Sequence, residues 1–163
     1  EPVLNFQVIE DTLKWCKENN VQMRGHTLVW HTQAPRWFFC QGYDSSNDLV
    51  GREEMIERLD SFTKQYMGYV QEKFPGVVYC WDVVNEAIAD DATKTDYLRG
   101  STSGTKDKTP TPPAGSNQAQ GSRWYQIYQS DEFIVNAFRF ANKYAPKDVL
   151  RQTRSELFRK KCC

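Results

Sequence analysis

Apolar residues at spacings of three and four open the chain. Phe6, Ile9, Leu13 and Cys16 fall on one side of a helix from Asn5 to Asn20, with Asn19-Asn20 as its stop. From Val21 to His31 the pattern is that of a strand, in which Gly25 allows close backbone approach. Thr32 to Gly51 reads as a loop carrying Pro35, Trp37, Phe38 and Phe39. Arg52 to Phe74 is the longest helical pattern, with Met55, Leu59, Phe62, Tyr66 and Tyr69 in one stripe, and Pro75-Gly76 ends it. Val77-Val78-Tyr79-Cys80-Trp81-Asp82-Val83-Val84-Asn85-Glu86 follows, a nearly apolar run that reads as a strand buried on both faces. After a Thr/Ser/Gly/Pro-rich stretch from Asp90 to Arg123, Ser130 or Asp131 caps a last helix. That helix has Ile134, Ala137, Phe138, Ala141 and Tyr144 on one face and Pro146 beyond its end.

Helix, strand, helix, strand, helix is the order of an α/β fold, in which parallel strands are joined by helical crossovers. The Asp90–Arg123 stretch is long for a loop without structure of its own. It is either one wall of a cleft or, at its centre from Thr102 to Gln120, a surface insertion. From Arg151 to Cys163 the character changes: five basic residues and one acid, Glu156, with no strand-like run, read as a solvated, disordered basic tail.

Composition narrows the class. At 163 residues, 39% hydrophobic and 26% charged, the chain has room for one ordinary globular domain. The 21 basic and 21 acidic residues cancel, so no global basic field calls for nucleic acid. No apolar run has the roughly 20 residues that span a bilayer, and Glu1-Pro2-Val3-Leu4 lacks the features of a signal peptide. Five cysteines (Cys16, Cys40, Cys80, Cys162 and Cys163) without C-x-x-C spacing, and only two histidines, argue against a zinc site, and Cys80 reads as a small hydrophobe in its strand. No metal or cofactor is expected. Aromatics reach 13%, enough either to fill a core or to line a sugar cleft.

The candidate chemistry sits where the apolar run ends. Asn85 and Glu86 lie at the C-terminal end of the predicted strand, the edge at which α/β folds place their reactive groups. Taken alone, the pair is equally a capped strand end with a surface acid. A second segment, Arg24-Gly25-His26-Thr27-Leu28-Val29-Trp30-His31-Thr32-Gln33, places His26 and Trp30 four apart on an extended strand, so that both can face one side. His31 has the opposite parity and reads as structural. Asp82 shares the parity of Glu86 and reads as an interior hydrogen-bonding group rather than a second catalyst.

The Gly-His-Thr-Leu-Val-Trp-His and Trp-Asp-Val-Val-Asn-Glu-Ala runs together resemble the xylanases of glycoside hydrolase family ten. Both motifs occur in the family's order, with the Arg52–Phe74 helix filling the gap between them; Trp124-Tyr125 and Phe138 to Ala145 also fit. The resemblance covers roughly residues 5–150. It implies a partial (β/α)8 TIM barrel, from about the second helix through the fourth, with residues 1–150 as part of a catalytic domain. The His26 strand would be the third and the Glu86 strand the fourth.

By resemblance the substrate is xylan or a xylo-oligosaccharide, cleaved with retention, and Glu86 is the general acid/base. It would protonate the leaving glycosidic oxygen and then deprotonate the attacking water. The apolar strand and aromatic neighbours are expected to desolvate that carboxyl. Asn85, His26, Trp30 and Gln33 match sugar-binding positions on the non-reducing side of the cut. The resemblance implies a secreted or extracellular enzyme. A β-1,4-glucanase barrel also ends its fourth strand in Asn-Glu, and a carbohydrate-binding remnant without catalysis is a third reading.

The chain departs from the family pattern in three places. The nucleophilic Glu of the seventh strand has no counterpart, since Ser155-Glu156-Leu157 only echoes its Thr-Glu-Leu-Asp-like setting in a basic context. The first strands, with their substrate-binding Glu, Asn and Lys, are missing. After Lys147-Asp148-Val149-Leu150 the sequence turns to Arg-Gln-Thr-Arg instead of a fifth strand, as a truncation, a gene fragment or a frameshift would produce. Two strands cannot close a barrel, so the missing segments are needed to cover the open strand edges. Because retention requires two carboxyls about 5–5.5 Å apart, the 163-residue chain alone is expected to release no reducing sugar from xylan. Measurable release by the purified chain would overturn that expectation.

Overall fold

The computed structural model describes residues 2–89, 97–100 and 121–146. In chain order these form α1 (Gln7–Glu18), β1 (Met23–Trp30), α2 (Arg52–Lys73), β2 (Val78–Asn85), α3 (Arg123–Tyr128) and α4 (Glu132–Tyr144). The two strands pair as a two-stranded sheet, parallel and joined by the α2 crossover. The Met23 N–H donates to the Val77 carbonyl (2.9 Å) where the pairing begins. The described residues gather into two units. One draws on residues 2–28, 60–83 and 137–146, the other on residues 29–59, 84–89, 97–100 and 121–136.

In the first unit α1 buries Leu13 and Cys16 of the predicted stripe, leaves Phe6 and Ile9 half-buried, and stops at Asn19 and the left-handed Asn20 (φ 54°). Phe6 stacks on Tyr69 with ring centroids 3.8 Å apart, and Tyr66 meets Trp81 edge-on at 5.1 Å. Tyr69 also donates its hydroxyl to Glu10. These sideways ring contacts change the predicted stripe of α2. The deepest line along the helix runs Met55, Leu59, Thr63, Met67 and Val70, while Phe62, Tyr66 and Tyr69 form a half-buried flank. Rings of this size stack on neighbours beside the helix rather than entering the narrow seam beneath it. Gly25 of β1 lies under Trp81, where a Cβ would come 2.7 Å from the ring's Cζ3.

The second unit is built on aromatics. Phe39 and Trp124 meet edge-on at 5.0 Å, and Phe133 stacks on Trp124 at 6.4 Å. Phe133 anchors the start of α4. The buried face of that helix is consequently Phe133, Asn136, Ala137, Phe140 and Ala141, one position round from the predicted Ile134, Phe138 and Tyr144. The stretch read as a loop from Thr32 to Gly51 contains two 3-10 turns, Arg36–Phe39 and Gln41–Tyr43, and is closed by an antiparallel bridge between Cys40 and Leu49. Buried Arg58 holds this segment: Nη1 donates to the carbonyls of Phe38 (2.8 Å) and Cys40 (2.9 Å), and the guanidinium lies 3.7 Å from the centre of the Tyr43 ring.

The predicted long loop after Asp90 is likewise more ordered at its ends than its composition implies. An antiparallel bridge joins Ile88 to Leu98. Helix α3 opens at Arg123, capped by Ser122, whose Oγ accepts from the Tyr125 N–H (3.4 Å). Gly100, at φ 84°, is packed so tightly that a Cβ there would lie 2.9 Å from the Ser122 nitrogen. The centre of the insertion (Thr102 to Gln120), the basic tail from Arg151, and Cys162 and Cys163 lie outside the described residues. Cys16, Cys40 and Cys80 are buried free thiols. No helix among the described residues is long and apolar enough to cross a membrane.

Two glycines are expected to respond with opposite sign. Gly25→Ala drives a methyl into Trp81 and should cost about 1–3 kcal/mol of stability. Gly68→Ala, in open space on α2, should add about 0.5–1 kcal/mol. Denaturant midpoints of the two variants check this, and equal shifts would rule out the close approach at Gly25.

Candidate functional site

The end of β2 explains where the Glu86 carboxylate goes. Val78, Cys80, Trp81 and Val83 are buried, Asn85 is half-buried, and the strand stops there. Glu86 then turns out of the sheet with a left-handed backbone (φ 50°), a conformation that costs an L-residue about 1–2 kcal/mol. The turn lifts its side chain clear of the apolar run, and 53% of it is exposed. The desolvation expected from the strand is therefore not what surrounds this carboxyl: the strand is apolar, but Glu86 lies just beyond it.

Trp30, the last residue of β1, meets Glu86 at this edge, its indole Nε1–H donating to Glu86 Oε2 (2.9 Å). The Trp30 carbonyl in turn accepts from the Trp124 Nε1–H (3.0 Å), so an indole of α3 fixes the backbone that carries the first indole. His31 places Nδ1 3.8 Å from the same Glu86 oxygen, and only 7% of its side chain is exposed. The reading of His31 as structural rested on strand parity; its burial fits that reading, and its nearness to Glu86 is what parity did not foresee. The strand ends at Trp30 and the chain bends from residue 31, so the alternation that governs a strand no longer applies to His31. At 3.8 Å the two groups are too far apart for a hydrogen bond but near enough for charge to be felt. Gln33 stands exposed in that bend, also left-handed (φ 61°), and Asn85 sits at the strand edge beside Glu86. Of the predicted site residues in this unit, the structure brings Trp30 and Glu86 into direct contact.

His26 belongs to the first unit and has a different partner. Its Nδ1 lies 3.0 Å from Asp82 Oδ2, while Arg24 Nε donates to Asp82 Oδ1 (2.6 Å). Thr27 Oγ1 donates to the Asp82 carbonyl (2.7 Å). The His26–Thr27 peptide is cis. Burial alone would push the Asp82 carboxyl up. The hydrogen bonds and positive charge of Arg24 and His26 outweigh that and hold it below the usual carboxylate range.

Arg99, which the sequence did not single out, and Trp124, noted there only as fitting the family, act on this edge through its backbone. Arg99 Nε donates to the Glu86 carbonyl (2.9 Å) and Nη2 to that of Ile88 (3.1 Å). The signal that could have found α3 is the Ser122 cap with Trp124 and Tyr128 four apart, around a helix of six residues easily lost in a polar stretch. Among the described residues no group of three or more His, Cys, Asp or Glu side chains could hold a metal ion.

The sequence model of glycosyl hydrolase family 10 matches residues 2–152. The chain belongs to that family. A relative from Caldicellulosiruptor saccharolyticus is 43% identical over 148 residues, which are 91% of this chain and 40% of that protein. Endo-1,4-beta-xylanase Y of Acetivibrio thermocellus is 40% identical over 135 residues, 82% of this chain and 12% of that one. Among solved structures, the CBM22-1 and family 10 modules of a Clostridium thermocellum endo-1,4-beta-D-xylanase, complexed with xylohexaose, match with a TM-score of 0.68 at 37% identity. The match covers 85% of this chain and 25% of that one. The chain thus spans well under half the length of these relatives. In family 10 terms, β1 and β2 with their helices are a segment of the (β/α)8 barrel.

The Asp82 cluster yields a pH test. A carboxyl held below its ordinary value of about 3.9 stabilises the fold above that pH and loses the contribution as pH falls through the depressed value. Asp82→Asn should therefore lower the denaturant midpoint most near neutrality, and the gap to wild type should shrink below about pH 4. A gap constant across pH would show that the charge of Asp82 contributes nothing.

Proposed function

We propose that this chain carries the acid/base side of a retaining endo-1,4-β-xylanase cleft, acting on xylan or xylo-oligosaccharides. The observation that carries the reading is the exposed Glu86 carboxylate held by the Trp30 indole at the C-terminal ends of two parallel strands. With Oε2 engaged by Trp30, Oε1 is left to deliver a proton to the leaving glycosidic oxygen and then to take one from the attacking water. Asn85, Trp30 and Gln33 supply an amide, an aromatic face and a second amide for sugar hydroxyls and a sugar ring. By family resemblance His26, whose Nδ1 faces Asp82, is a further sugar-binding residue. The second carboxylate of the retaining pair is placed by family resemblance on the seventh barrel strand. Relatives named as endo-1,4-beta-xylanases and a neighbour bound to xylohexaose support xylan as the substrate. Polymeric xylan is too large to enter a cell, so action on the polymer places the enzyme outside; activity confined to short oligosaccharides would reverse that placement.

In the full barrel polypeptide, Glu86→Gln is expected to lower turnover on xylan by about 10²–10⁴. Glycosylation by an aryl xyloside whose leaving group needs no protonation should suffer far less. Wild-type turnover of the variant on xylan would sink the assignment. Products from carboxymethylcellulose but not xylan would favour a glucanase, and binding without product a non-catalytic role.

A further inference from the structure

We infer that Arg99 is a positioning residue for Glu86, holding its backbone in the left-handed turn that delivers the carboxylate to the Trp30 indole. The inference rests on the reading of Glu86 as the reacting carboxyl and adds the device that aims it. Arg99 engages three successive carbonyls. Its Nε donates to that of Glu86 (2.9 Å), its backbone N–H to that of Ala87 (2.8 Å) and its Nη2 to that of Ile88 (3.1 Å). The return bond from the Ala89 N–H to the Tyr97 carbonyl (2.9 Å) locks the two short segments together around the Ile88–Leu98 bridge.

Arg99 is only 5% exposed. A guanidinium does not shed its charge, so burying one demands fixed acceptors, and its planar fork suits two carbonyls at once. What it fixes is the orientation of the Glu86–Ala87 peptide. With that carbonyl held, Glu86 keeps φ at 50°; released, an L-residue relaxes toward the right-handed or extended regions, and the side chain swings off the indole. Lysine retains the charge at this position but cannot span both carbonyls.

The test uses the 163-residue chain without substrate, so either result is independent of whether xylan is the substrate. The Trp30 indole N–H resonance reports the bond to Glu86, and Glu86→Ala supplies its position when no carboxylate accepts. In Arg99→Lys that resonance should move at least halfway to the Glu86→Ala position, while the Trp124 indole, bonded to the Trp30 carbonyl, stays put. Arg58→Lys, at a comparably buried arginine that also bonds carbonyls, should reduce stability without moving the Trp30 resonance in that direction. A Trp30 resonance unmoved in Arg99→Lys, or moved equally by Arg58→Lys, overturns the assignment. If Arg99→Lys does not fold, the unaltered chain decides. The Arg99 Nε–H should exchange with solvent at least ten-fold more slowly than a free guanidinium, and exchange at the free rate overturns the proposal.

Discussion

The hydrogen bond from the Trp30 indole to the Glu86 carboxylate joins the ends of two strands whose residues are otherwise mostly apolar. Everything at this edge is arranged so that one carboxylate meets one donor. The indole is held through its own carbonyl by Trp124, and the carboxylate through its own carbonyl by Arg99. Each partner of the bond is therefore fixed by a contact to its backbone, from a side chain 94 positions further on for Trp30 and 13 for Glu86. Such support matters because a side-chain pair at an exposed edge pays rotamer entropy to stay together, and backbone anchoring removes part of that cost.

The same edge separates two incompatible demands. A strand buried on both faces needs Val78, Cys80, Trp81 and Val83, and no carboxylate belongs among them without a partner. Asp82 is the exception that meets this rule, half-buried with Arg24 and His26 donating to it. Glu86 meets it by leaving the strand. Its left-handed φ is a local cost, and the clamp of Arg99 on three consecutive carbonyls offsets it. His31 is drawn into the neighbourhood in the same way, since the bend after Trp30 releases it from the alternation of β1.

Much of the frame was legible in the sequence because it depends on local periodicity. The helices α1 and α2 and both strands lie within two residues of their predicted bounds, and Asn19-Asn20 and Pro75-Gly76 stop elements where such residues stop them. The buried faces of α2 and α4 were displaced by one position, because Tyr66, Tyr69 and Phe133 choose their places by ring stacking with residues distant in the chain. Helix α3 is too short to produce a periodic signal against the polar residues around it.

The sequence by itself determined the order of elements, the placement of Asn85 and Glu86 at a strand end and, through two long motifs, the membership of family 10. These follow from nearest-neighbour propensity, hydrophobic period and motif spacing, all of which are written along the chain. Only the tertiary structure decided that Trp30 donates to Glu86, that Asp82 answers Arg24 and His26, that His31 lies near the carboxylate, and that Arg99 holds its backbone. Those contacts join residues from 13 to 58 positions apart, depending on strand register and on where each strand gives way to a turn. No local pattern encodes where a side chain points once the strand has ended.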